Sequence, residues 1–255
     1  MNIVITAGGT QERIDDVRYI TNMATGSLGK IIYEKLKNFN IFYIYTKGAK
    51  HPIKNLYTPN LKLIEVSDTN SVKEAIEKVI FENKIDVFIH SMAISDYSVK
   101  SVFSIDDIFE VFQKQSVLDK SILLHNKKSI LNALNEIKGV QKNTKISSNN
   151  EEMFISLQKT PKLVDSIKEL DSDIFLISFK LLTHVSDKEL IDVAHKQLLR
   201  TDSNLVIAND LSKIDGDNIH PAFFVNRNGS AKPVSSKECI AREISKVIEN
   251  IRLSK

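Results

Sequence analysis

Short runs of β-branched and aromatic residues alternate with longer stretches of helical periodicity, and this alternation limits the chain to stacked βαβ units more than any other feature. Ile3-Val4-Ile5-Thr6 predicts a buried strand ending in the turn Ala7-Gly8-Gly9-Thr10. A helix is expected from about Gly26 through Leu28, Ile31, Ile32 and Leu36, then strands at Ile41–Tyr45 and Leu61–Val66. Val72, Ala75, Ile76, Val79 and Ile80 recur at the 3.6-residue spacing of a helix. Asp86–His90 reads as a further strand. After an interruption the pattern resumes: helix Pro161–Leu170, strand Ile174–Phe179, a helix through Leu190 to Leu199, strands Leu205–Ala208 and Ala222–Val225, and a closing helix Cys239–Ile251. The expectation is an α/β, Rossmann-like three-layer sandwich with a doubly wound, mostly parallel sheet. Ligands of such sheets bind outside the carboxyl ends of the strands.

The regularity lapses between Ser98 and Lys145. That stretch is polar and lysine-rich, with helices expected near Ile105–Phe112 and Ser129–Ile137. It reads as an inserted flap or dimerisation lobe, about 98–150, rather than as a sheet element. The 255 residues are then a single Rossmann-like domain carrying that lobe.

Charge and cysteine content narrow the function classes. The 35 Lys+Arg against 32 Asp+Glu leave a formal +3, too small an excess to indicate nucleic acid as a partner. One cysteine, Cys239, excludes an intramolecular disulfide and fits a reducing, cytoplasmic compartment; a buried or inert thiol is the expectation there. No apolar run reaches the ~18 residues of a membrane span. Six histidines without metal-ligand spacing argue against structural zinc, and neither a phosphate-loop Gly-Lys-Ser/Thr nor a Gly-x-Ser-x-Gly elbow is present.

The glycines are the first candidates for chemistry. Gly8, Gly9 and Thr10 follow a strand directly, where backbone N–H groups can approach an anion; a tight turn without a ligand is the competing reading. Gly26-Ser27-Leu28-Gly29 at a helix start adds a helix amino terminus. Strand two ends Tyr45-Thr46-Lys47-Gly48 without the carboxylate that holds a dinucleotide ribose, which weakens a nicotinamide oxidoreductase. Arg18 offers a planar fork to a phosphate or carboxylate, against a surface ion pair with Asp15 or Asp16. Asn22 offers a neutral amide. Asp96, just past a strand, suits Mg²⁺ or a ligand hydroxyl, against a helix cap.

In order along the chain, Ile5-Thr6-Ala7-Gly8-Gly9-Thr10-Gln11-Glu12, Asp16–Asn22, Gly26–Gly29, Met92–Tyr97, Lys145–Ser148, Thr160–Val164, Ser178–Leu181 and Ala208-Asn209-Asp210 resemble phosphopantothenate–cysteine ligase. The resemblance runs over nearly the whole chain. It implies a stand-alone ligase of coenzyme A biosynthesis. The carboxylate of 4′-phosphopantothenate would attack a nucleotide α-phosphate, releasing pyrophosphate, and the amine of L-cysteine would then take the acyl group. It implies CTP as co-substrate, with ATP the alternative, Mg²⁺ as cofactor and a homodimer. Arg18, Asn22, Ala93 and Asn209 would hold the phosphopantothenoyl part. Gly8, Gly9, Thr10, Gly26, Gly29, Ser91, Met92, Asp96, Pro161, Lys162, Leu163, Val164 and Phe179 would line the nucleotide site, and Lys145 would be the flap lysine over the phosphates. Arg18, Asn22 and Lys145 would thus carry catalysis, with Asp96 the metal-associated acid.

The chain departs from the family pattern in three places. Two lysines of the fused enzymes correspond to Gln197 and Thr201, with Lys196 and Arg200 adjacent as nucleotide-binding substitutes. Residues 98–144 make a long flap. No flavin decarboxylase segment precedes Met1, so the ligase step alone is expected. A non-catalytic nucleotide-binding relative stays open if Asn22, Asp96 and Lys145 do not converge.

Overall fold

The computed structural model describes residues 1–116, 127–137, 146, 152–216 and 219–254. In chain order the elements are β1 (Asn2–Ala7), β2 (Gln11–Arg13), β3 (Tyr19–Thr21), α1 (Ser27–Leu36), β4 (Asn40–Thr46), β5 (Leu61–Val66), α2 (Thr69–Glu82) and β6 (Val87–His90). Then come β7 (Tyr97–Ser104), α3 (Ile105–Ser116), α4 (Lys127–Glu136), β8 (Met153–Lys159), α5 (Leu163–Leu170), β9 (Phe175–Leu182) and α6 (Asp187–Thr201). β10 (Leu205–Asp210), β11 (Ala222–Val225), β12 (Ala231–Val234) and α7 (Lys237–Ser254) close the chain. They form two compact units: Met1–Thr10 with Asn22–Ile94 and Pro161–Lys255, and Gln11–Thr21 with Ser95–Thr160.

The first unit is a Rossmann-like α/β sandwich. Its eight-stranded sheet has the order β12-β11-β10-β9-β6-β1-β4-β5, parallel from β10 to β5, with β11 and β12 added antiparallel. Side chains of a strand alternate between faces, so one apolar run feeds two cores. Ile3 and Ile5 pack with Ile32 and Leu36 of α1 and Ile240, Ile244 and Ile248 of α7. Val4, between them, joins Val72, Ile76 and Val79 of α2 and Leu163 and Ile167 of α5 on the other face. Ala194 and Leu198 of α6 cover Val206, Ala208 and Val225. α2 starts at a reciprocal cap: Ser71 N–H donates to Asp68 Oδ1 and Asp68 N–H to Ser71 Oγ. The helix expected over Pro161–Leu170 starts at Leu163, which leaves Pro161 in the lead-in.

The second unit holds two antiparallel pairs, β2–β3 and β7–β8, together with α3 and α4. Val99, Val102 and Ile146 form its core with Ile14, Ile20 and Met153. It is wider than the expected 98–150 lobe and takes in Gln11–Thr21. One expectation is corrected here: the 98–145 stretch does contribute a strand, β7, whose partner β8 lies outside the main sheet.

Candidate active site

The strand order of the first unit locates a crevice. From β1 the chain steps to β4 and β5 on one side, then returns to β6 and continues to β9 and β10 on the other. The switch point is therefore between β1 and β6, where open α/β sheets bind ligands. Just past these strand ends Gly9 and Ala93 pair: Ala93 N–H donates to Gly8 O at 2.9 Å and Thr10 N–H to Ala93 O at 3.1 Å. Asn22 reaches the same place, its Nδ2 donating to Ala93 O at 3.4 Å. Gly9, Asn22 and Ala93 thus come together. The N–H groups of Thr10 and Ala93 are used inside this knot, so the turn is closed by its own chain.

A buried polar network holds the β6 side. Thr6 Oγ1 accepts from Met92 N–H at 3.2 Å and shares a hydrogen bond with His90 Nδ1 at 3.0 Å. Ser91 Oγ donates to Thr6 O at 2.6 Å. Burial pushes His90 down to about 4, which keeps the ring neutral and a hydrogen-bond acceptor near pH 7. Ser91, Met92 and Ala93 are in this way tied to β1. Gly8 has φ +96 at the end of β1, and a Cβ there would lie 2.2 Å from Thr46 Oγ1. Thr46 closes β4, so no carboxylate stands at that strand end, as the sequence indicates.

α1 begins after Gly26, whose φ is +73 and which makes no side-chain cap. Lys237 Nζ donates to Ser27 Oγ in its first turn at 2.9 Å. Gly29 stands beside Ala7 and Ser91 Oγ. Phe179 is half-buried on β9, packed against the α1 and α7 core. Asn209 is buried near the end of β10, level with Leu181 of β9.

The helix α6 carries the positions where lysines are missing. Gln197 Nε2 donates to Ser178 Oγ at 3.2 Å and Phe179 O at 3.1 Å, and buried Thr201 donates to Gln197 O at 2.9 Å. Both side chains are turned to the sheet. Lys196 is exposed, whereas Arg200 pairs with Asp165 of α5, whose other oxygen, Oδ1, is buried without a partner among the described residues. Pro161 and Lys162 lead into that helix, and Leu163 and Val164 open it.

In the second unit, Arg18 donates to Asp15 Oδ2 through Nε at 3.0 Å and Nη2 at 2.6 Å. The ion pair weighed in the sequence is formed, with Asp15 rather than Asp16. Asp96 is exposed just before β7 rather than at a helix start. Lys145 lies outside the described residues. No cluster of three or more His, Cys, Asp or Glu suited to a metal occurs among the described residues. Cys239 is half-buried, not buried; hydrogen bonds from Ser236 and Ser235 and the charge of Arg242 lower its pKa.

Sequence reasoning passed over Asp210 except as part of a motif. It is buried, and its carboxylate accepts from His184 N–H, Val185 N–H, Ser212 N–H and Ser212 Oγ. These donors, Ser212 foremost, hold it down to about 2. It fixes the β9–α6 loop, where His184 has φ +55. An Asp ending a buried strand was its signal.

The fold defines a Rossmann-like α/β protein with a crevice at the strand switch point. The chain belongs to the DNA/pantothenate metabolism flavoprotein C-terminal domain family, whose model matches residues 1–143 and 138–251. It is 30% identical over 252 residues to the coenzyme A biosynthesis bifunctional protein CoaBC of Thermococcus kodakarensis, covering 98% of this chain and 51% of that protein. The chain spans about half the length of the curated relatives it matches. Among solved structures, the DNA/pantothenate metabolism flavoprotein from Streptococcus pneumoniae superposes with a TM-score of 0.79 at 36% identity, covering 98% of this chain and 99% of that one. A Cab2 variant in complex with phosphopantothenate-cysteine shares the fold at a TM-score of 0.64 and 17% identity, covering 99% and 87%.

Proposed function

We propose that this chain is a phosphopantothenate–cysteine ligase acting in coenzyme A biosynthesis, activating the carboxylate of 4′-phosphopantothenate with CTP before amide formation with L-cysteine. The observation that carries this reading is the meeting of Gly9, Asn22 and Ala93 at the β1/β6 switch point, in a family whose bifunctional members are named for coenzyme A biosynthesis. Carboxylate attack on the α-phosphate gives an acyl-cytidylate and pyrophosphate; attack by the cysteine amine on the acyl carbon then releases CMP. Two anions meet in the first step, so donors and cations must offset their repulsion.

Asn22 would bind the acyl group and orient it for the amine, with Ala93 and Asn209 beside the phosphopantothenoyl part. Arg18 would take an anionic group of that substrate, and Lys145 would face the phosphates. Phe179 would flank the base; Gly8, Gly26, Gly29, Ser91, Met92, Pro161–Val164 and Lys196 would line the nucleotide. With Gln197 and Thr201 turned inward and Arg200 paired with Asp165, Lys196 is the exposed cation beside those positions that makes no ion pair among the described residues. That is the specific reason to keep ATP as the second reading.

Asp96 is exposed and belongs to no cluster of three or more His, Cys, Asp or Glu among the described residues, which fits Mg²⁺ carried in with phosphate and water rather than in a protein cage. When bound, the ion would neutralise charge on the phosphates. A homodimer is supported by the exposed apolar side chains Tyr97, Phe154, Ile155 and Leu157 on β7 and β8. A cytoplasmic setting is supported by the single cysteine; no helix among the described residues is long and apolar enough to cross a membrane.

The test is incubation with 4′-phosphopantothenate, L-cysteine, Mg²⁺ and either CTP or ATP, measuring pyrophosphate and product. Release with CTP supports the full reading. Release with ATP alone overturns the nucleotide choice, and release with neither overturns the ligase.

A further inference from the structure

Asp15 is 1% exposed, although it lies in a short polar loop between β2 and β3. Its two oxygens have separate partners. Oδ1 accepts from Val17 N–H at 2.9 Å and Arg18 N–H at 2.7 Å, which closes an Asx turn. Oδ2 accepts from Arg18 Nε and Nη2 and from Ile146 N–H at 3.2 Å. Arg18 Nη2 also donates to Ile146 O at 3.4 Å. Ile146 is itself buried in the core of this unit, so the frame around the guanidinium is anchored.

A guanidinium has five N–H donors in a rigid fork. Nε and Nη2 are occupied, whereas Nη1 makes no hydrogen bond among the described residues, and the side chain is 52% exposed. We propose that Asp15 is a positioning residue: its Oδ2 holds Arg18 with the Nη1 edge presented to an incoming carboxylate or phosphate oxygen of 4′-phosphopantothenate. The Arg18 guanidinium in turn holds the Asp15 carboxyl well below the usual carboxylate range, so the pair stays charged under assay conditions. Fixing the fork in advance removes rotamer entropy that a free arginine would lose on binding. The inference rests on the ligase reading for the identity of the anion.

Calorimetric titration of 4′-phosphopantothenate into the full chain tests it without requiring turnover. Asn at 15 keeps an acceptor for the Asx turn but puts an NH₂ where Oδ2 accepts from Arg18. Asp15→Asn should weaken phosphopantothenate binding roughly tenfold, as expected for losing a charge-assisted contact, and leave CTP binding within about twofold. In an Arg18→Gln background the same change should cost nothing further. Arg18→Lys leaves Asp15 and the turn intact while removing the Nε contact, so it should reproduce the selective loss even if Asp15→Asn fails to fold.

Wild-type binding by a folded Asp15→Asn, or by Arg18→Lys, would overturn the proposal. So would equal loss for both ligands, or a double variant that adds the full Asp15→Asn loss. A wild-type chain that binds 4′-phosphopantothenate but does not ligate it overturns the functional reading alone. One that binds none overturns both.

Discussion

Gly29 on α1 stands so close to Ala7 at the end of β1 that a Cβ at position 29 would lie 2.6 Å from the Ala7 Cβ and 3.0 Å from Tyr43 Oη. The helix can approach the strand only because that atom is missing. Gly29→Ala should therefore cost about 1–3 kcal/mol through overpacking. Urea denaturation monitored by circular dichroism reads it; unchanged stability would mean that α1 shifts freely on the sheet.

Asn22 donates to Ala93 O, and an aspartate there would set a carboxylate against that carbonyl. Asn22→Asp should reduce amide product by about tenfold or more, the effect of losing one oriented donor, while nucleotide binding falls less. Pyrophosphate and product, followed separately, check this. Equal loss in both steps would assign Asn22 a general structural role.

His90 gives the stability a defined pH dependence. Its pKa is about 4 folded and 6.5 unfolded, so the unfolded chain binds the extra proton between those values. Stability should fall as pH drops from about 6.5 to 4, by about 3 kcal/mol from this group, and change little through it below that. His90→Asn, which retains a polar partner for Thr6, should flatten this limb. Denaturant midpoints between pH 7 and 4 measure the difference, and identical slopes would remove His90 as the cause.

Arg200 was a nucleotide-binding candidate from its place in the sequence, yet its guanidinium pairs with Asp165. Arg200→Gln should change stability by less than about 1 kcal/mol, as for other exposed pairs, and leave the KM for CTP near wild type. Lys196→Gln should raise that KM several-fold, by the loss of one exposed phosphate-directed charge. Steady-state kinetics of both variants decide between them; the reverse pattern would return Arg200 to the site.

The parallel strands were legible because they are buried on both faces and read as unbroken apolar runs, as in Ile3–Thr6 and Ile41–Tyr45. Five strands were not. β2 is Gln-Glu-Arg and β3 has three residues, too short for any period. β7 and β8 form a partly exposed pair with a register shift between Val99 and Ser101, which breaks their alternation. β12 includes Pro233, acceptable at a sheet edge and a breaker by any reading of local pattern. Gly9 was legible as a glycine turn after a strand, whereas Asn22 and Ala93 were singled out by the resemblance of their motifs to the ligase family.

The sequence by itself determined the layered α/β fold and the switch point at the carboxyl ends of the strands, since these depend on local period and turn chemistry. The tertiary structure alone decided which charges and amides are already engaged. Arg18 is held by Asp15 within its own loop, Arg200 by Asp165 from another helix, and Gln197 by the carbonyl of Phe179 on a neighbouring strand. For the last two, the partners are distant in the chain and adjacent only once the helices pack. For the first, Asp15 Oδ2 takes a further donor, the N–H of Ile146, from 131 residues away. Local pattern names the donors; packing assigns their acceptors.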